Sequence, residues 1–181
     1  MTVPECLIWP MVYNLALRLY CELEQPKSIV LDTRGRLVRF NGILPLSHEG
    51  IRTRATAACR FVIGPDWLEQ LPYVACDEPW VIRGDADWHT YTNGSLCFEF
   101  EERWRDELAI VAAADGLGPA AEFARIWCLN STRCLLWKHL AASRARMKEW
   151  PREWDSWSHG PAAHQQYLRE KLRQVAHSPC T

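Results

Sequence analysis

The chain has no excess of charge of either sign. Twenty-one Lys and Arg stand against twenty-two Asp and Glu, a formal net charge of -1, so no chain-wide positive field exists to hold a phosphate backbone or an anionic bilayer. Nucleic acid is therefore not an expected partner. Long apolar runs are missing too: the stretches at Cys6 to Trp9 and Leu15 to Leu17 are interrupted by Pro10, Asn14 and Arg18, far short of the ~20 residues of a membrane span. No basic, apolar and small-residue segments follow one another in the order of a secretory signal. The expectation is a soluble, cytoplasmic protein with no membrane partner. There is no internal repeat and no low-complexity tract, and with 48% hydrophobic against 24% charged residues disorder is excluded.

A C-x-x-C pair is also absent. Of the six histidines (48, 89, 139, 159, 164 and 177) only His159 and His164 have finger-like spacing, and no cysteine pair precedes them, so no structural zinc site is expected. Eight cysteines are nevertheless present, at 6, 21, 59, 76, 97, 128, 134 and 180. Most have apolar or helical neighbours, which suits free, largely buried thiols acting as small hydrophobes. Cys97 and the tail residue Cys180 are the expected exposed ones.

Hydrophobic spacing gives the order of elements. Met11, Leu15, Leu19 and Leu23 recur at helical intervals from Pro10 to Glu24, with Pro26 as a stop. Ser28–Asp32 and Arg36–Phe40 read as strands around Thr33-Arg34-Gly35, a hairpin signal. Strands are also expected over Thr56–Ile63 and Tyr73–Cys76, the last resuming at Trp80–Ile82. Helices follow over Asp106–Ala114 and Ala120–Met147, the second open to a break at Asn130-Ser131-Thr132. The fold class is α+β: an N-terminal helix, a four-stranded antiparallel meander, then C-terminal helices. One domain is expected over residues 1–147. Residues 148–181 form a Trp-rich linker (Trp150, Trp154, Trp157) and a short helix over Ala162–Val175, docked on that domain.

Between the meander and the helices lies an irregular stretch, Trp88-His89-Thr90-Tyr91-Thr92-Asn93-Gly94-Ser95-Leu96-Cys97. Asn93-Gly94 is a strong tight-turn dipeptide. The end of this stretch, Asn93-Gly94-Ser95-Leu96-Cys97-Phe98, resembles the loop that carries the catalytic cysteine of ubiquitin-conjugating enzymes. His89 stands at the place of the histidine that opens that loop, Trp104 at the place of the tryptophan that follows it, and Leu71-Pro72-Tyr73 with Pro79 resembles the family's proline-rich segment. The resemblance covers roughly Pro10 to Ala145. Thr90-Tyr91 occupy the place of the family's Pro-Asn, and the interval to Cys97 is shortened. Such departures are similar to those of divergent bacterial members, found beside ubiquitin-like modifiers and activating enzymes in antiviral defence operons.

The resemblance implies a transferase with no cofactor or metal. Cys97 would accept a ubiquitin-like modifier from an adenylating, activating enzyme as a thioester and pass it to a nucleophile on a target protein, by thiolate attack followed by departure of the thiolate. His89 would hold the loop by hydrogen bonds to backbone, or act directly as a base; the plain alternative is a solvent-exposed histidine. The family's oxyanion-stabilising Asn has no counterpart here. Tyr91, Asn93 and backbone amides around Cys97 are the candidates, Asn93 also reading as a type I′ turn former. Asp85, Asp87, Glu99, Glu101 and Glu102 flank the site, as an acidic rim or a solvated face. Two alternatives stand beside this. One is an inactive binding module for a ubiquitin-like protein or other partner. The other is a cysteine hydrolase or acyltransferase pairing Cys97 with a distant His such as His139 or His164, although no G-x-C-x-G elbow is present.

Overall fold

The computed structural model describes residues 5–148, apart from 28, 33, 35, 49–50, 85–87 and 99–100. The tail with Trp150, Trp154, Trp157, Cys180, His159, His164 and the helix expected at Ala162–Val175 lies outside the described residues, as do Asp85, Asp87 and Glu99. The chain opens with helix α1, Glu5–Tyr20. Its buried stripe is Val12, Leu15, Ala16 and Leu19, one face of a 3.6-residue period. The helix begins five residues before Pro10, which lies inside it. Pro10 is the sixth residue of the helix, past the first four unpaired donors, so it removes one intrahelical bond, the one to the Cys6 carbonyl, from the second turn. It also ends earlier than Glu24. After Tyr20 the chain tightens, Glu22 N–H donating to Leu19 O and Leu23 N–H to Tyr20 O, and Glu24 exchanges both backbone bonds with Ile43. Exit from the helix thus runs directly onto the sheet.

Four strands follow: β1 Val30–Asp32, β2 Leu37–His48, β3 Ile51–Ile63 and β4 Tyr73–Cys76. They form one sheet of order β1-β2-β3-β4, every pair antiparallel, which is the expected meander. Buried Val38, Phe40, Leu44 and Leu46 alternate along β2, and Ala57, Cys59, Phe61 and Ile63 along β3, so one face of the sheet is core and the other carries exposed Arg39, Asn41 and Arg60. Phe40 and Phe61 sit opposite in register and stack with centroids 5.1 Å apart. Each such side chain is worth roughly 1.5–3 kcal/mol of burial.

Strand β2 is longer than its expected Arg36–Phe40. Gly42 and Pro45 read locally as an end, yet the strand continues through both, with its register shifting between Pro45 and Ser47. Gly42 is needed there because a Cβ would stand 2.7 Å from Leu23 Cδ1; the helix exit packs where a side chain would be. Trp80–Ile82 does not resume a strand: it is turn and coil.

Helix α2 spans Glu101–Asp115 and α3 Leu117–Ala145. The first starts earlier than expected, with Glu101 and Glu102 opening it and Trp104 within its first turn. Gly116 alone joins the two helices, at φ 85. Its N–H donates to Ala112 O, ending α2, and its carbonyl accepts from Ala120, opening α3. The second helix is continuous through Asn130-Ser131-Thr132, because Ser131 and Thr132 are buried against the core and packing overrides their weak helix preference. It ends at Arg146, φ 53, with Met147 N–H on Ala142 O, a left-handed cap. α3 packs on β2, α1 and α2. Ionic contacts fasten it: Arg125 to Glu22 at 2.5 Å and Glu122 at 2.7 Å, Arg18 to Glu122 at 2.8 Å, and Arg133 to Glu22 at 3.2 Å and to Pro45 O at 3.1 Å. Arg125 beside it holds the Glu122 carboxyl below its ordinary range.

Candidate active site

Residues His89 to Cys97 form a miniature hairpin. Thr90 pairs with Leu96, Tyr91 N–H donates to Ser95 O at 2.9 Å, and Cys97 N–H donates to His89 O at 2.8 Å. The turn is closed by Gly94 N–H on Tyr91 O at 2.9 Å. Neither Thr92 nor Asn93 has positive φ, whereas Gly94 does, at 78. The loop is therefore a type I turn followed by a left-handed glycine, which corrects the expected type I′ turn. Asn93 contributes through its side chain instead. Its Oδ1 accepts from Ser95 N–H at 3.0 Å and from Ser95 Oγ–H at 2.7 Å, bracing the turn in the manner of an Asx motif.

This hairpin extends the sheet past β4. Ser95 bridges Ala75, Leu96 N–H donates to Val74 O at 2.8 Å, and Cys76 N–H donates to Gly94 O at 3.0 Å. A Cβ on Gly94 would stand 2.9 Å from Cys76 O, so the turn fits against β4 only as glycine. Thr90 Oγ1 donates to Ile82 O. Trp88, Thr90, Leu96 and Phe98 are buried and anchor the inner side. Beneath them His139, from α3, is fully buried with its ring 6.1 Å from that of Trp88. Burial pushes its pKa down to about 4, against the opposing pull of the Trp88 backbone and with a smaller push from His89.

Cys97, half-buried as a residue, closes the hairpin. Tyr91 lies on the same face, one diagonal step away, since it pairs with Ser95. Its hydroxyl donates to Cys97 Sγ at 3.5 Å while the ring stays 55% exposed. Local alternation accounts for this placement: Thr90 and Leu96 face inward, so Tyr91 and Cys97 face outward. His89, opposite Cys97, is 6% exposed and adopts φ 51; its backbone carbonyl accepts the Cys97 amide N–H. The arrangement thus brings Cys97, Tyr91, His89 and Asn93 into one nine-residue hairpin.

Comparison with protein-family models, with curated proteins and with solved structures gives no match. The chemistry is therefore read from the residues. A thiol beside a phenolic donor is a pairing suited to nucleophilic chemistry at a carbonyl. No described cluster of three His, Cys, Asp or Glu is arranged to hold a metal. No described helix is long and apolar enough to cross a membrane.

Other cysteines behave mostly as expected. Cys59, Cys76 and Cys128 are buried and Cys134 is half-buried, but Cys21 is exposed, because it follows the last turn of α1 on the solvent side. Sequence spacing missed the contributions of Thr90 and of Arg83, whose guanidinium reaches Cys76 O at 3.5 Å. Neither carries a local signal, since both act on backbone brought near by folding.

Proposed function

We propose that the protein is a ubiquitin-like modifier transferase of the ubiquitin-conjugating type, holding the modifier as a thioester on Cys97, in a bacterial antiviral conjugation system. The observation that carries the reading is the pairing of the thiol of half-buried Cys97 with the Tyr91 hydroxyl at 3.5 Å, on a hairpin hung from a sheet edge where two large partners can reach it.

Each residue then has a role. Cys97 Sγ, as thiolate, attacks the activating enzyme's thioester carbonyl; the new C–S bond forms as the old one breaks. An amine or other nucleophile on the target later displaces Cys97. Tyr91 O–H donates to the tetrahedral oxygen, in place of the family's amide side chain. His89 presents its carbonyl to the Cys97 amide and so fixes the end of the hairpin. Asn93 shapes the turn and spends its carbonyl oxygen on Ser95.

The test uses the full chain with ubiquitin-like proteins presented as C-terminal thioesters. Wild type should gain one modifier in a bond cleaved by thiols, Cys97→Ala should gain none, and Cys97→Ser should form a slower, thiol-resistant ester. Saturable binding of a modifier with no adduct on Cys97 would make the protein a binding module.

A further inference from the structure

The core beneath the hairpin holds a pair of thiols that this function does not use. We infer that Cys59 and Cys76 form a two-electron redox site: a peroxide closes them into a cross-strand disulfide that fastens β4, and the Gly94 turn resting on it, to β3. The inference is independent of any role for Cys97.

Register provides the geometry. Cys59 and Cys76 are direct partners across β3 and β4. The Cys76 N–H points away from β3 to Gly94 O at 3.0 Å, and its carbonyl points the same way, toward Arg83. The two cysteines therefore form a pair of the kind not bonded through its own backbone groups, in which Cα atoms approach to about 4.5 Å, inside the ~4.4–6.8 Å span of disulfides. Both side chains lie on the core face, at 1% and 0% exposure, and each thiol shifts the other's pKa.

The pair is polarised. Donation from Cys59 lowers the Cys76 pKa, and the same contact with burial raises that of Cys59. Cys76 is thus the sulfur that ionises first and Cys59 the one that resolves. The Cys76 thiolate attacks hydrogen peroxide; an S–O bond forms, the O–O bond breaks and, with one proton, water leaves. Cys59 then attacks the sulfenic sulfur, the S–S bond forms and the second oxygen departs as water. Two thiols and one peroxide give one disulfide and two waters, two electrons passing from sulfur to oxygen. Cys128, the third thiol of this core, is pushed up to about 12 by burial and stays a spectator.

The experiment exposes the native full-length protein to hydrogen peroxide, alkylates the remaining thiols, unfolds it, digests it and maps it by mass spectrometry. The expected product is a peptide linking Cys59 to Cys76, with Tm raised by roughly 5–10 °C and restored by dithiothreitol. Cys97→Ala should retain both effects. Cys59→Ala should lose both and leave Cys76 as sulfinic acid. Because a core variant can fail to fold, wild-type mapping decides alone. Recovery of Cys59 and Cys76 as free thiols at peroxide doses that oxidise Cys97 or Cys21 overturns the inference, as does a bridge from either one to Cys128.

Discussion

The middle of the sheet and its β4 edge are held in different ways. In the middle the long β2–β3 hairpin lies under α1 and α3, with Phe40 stacked on Phe61 and ion pairs from Arg125 and Arg133 closing over Glu22. At the edge, the His89–Cys97 hairpin extends β4 by a few backbone bonds and leaves Tyr91 in solvent. The first region is stabilised by buried area, the second by how well one turn fits one peptide. The function we propose belongs with the second, because a thiol proposed to meet two large partners needs an accessible perch on a rigid support.

The comparison breaks hardest at the core. Phe61→Ala removes the stacked ring and leaves a cavity, and should cost about 3–5 kcal/mol, read as a lower midpoint in urea; a loss below about 1 kcal/mol would mean that the β2–β3 centre is not the main support.

Between the two regions sits His139. Its folded pKa of about 4 lies below the ordinary 6.5, so the unfolded chain binds the extra proton first. Stability contributed by keeping it neutral is complete above pH ~6.5 and is lost as pH falls toward ~4, by up to about 3 kcal/mol. His139→Leu should flatten that slope in urea titrations run from pH 7 to 4.5. An unchanged slope would move the acid sensitivity elsewhere.

Gly94→Ala should be the smaller lesion, about 1–3 kcal/mol, from left-handed strain and the contact with Cys76 O. Its signature is local: amide exchange at Cys76 and Leu96 should accelerate while β2 and β3 stay protected. Uniform acceleration would show that the hairpin and the core unfold as one unit.

Much of the scaffold was legible from local pattern. The meander order follows from alternating β-rich runs, and Tyr73–Cys76 matches β4 residue for residue. Residues 41–48 were not legible, because Gly42 and Pro45 signal a break and only the distant Leu23 explains the glycine. At the site, Asn93-Gly94 announced a turn and Cys97 its end. The turn type depends on docking against Cys76, however, which lies 18 residues before Gly94. The burial of His139 under Trp88 is likewise a tertiary fact with no periodic signature.

The most direct test of the central claim is the single-turnover rate of modifier transfer to the chain, with the adduct located by peptide mapping, in wild type and Tyr91→Phe. The adduct should lie on Cys97, and loss of the hydroxyl should slow its formation by about tenfold or more with Tm unchanged. An adduct on Cys21 or Cys134, or an equal rate without the hydroxyl at Tyr91, would contradict the assignment of this hairpin as the catalytic element.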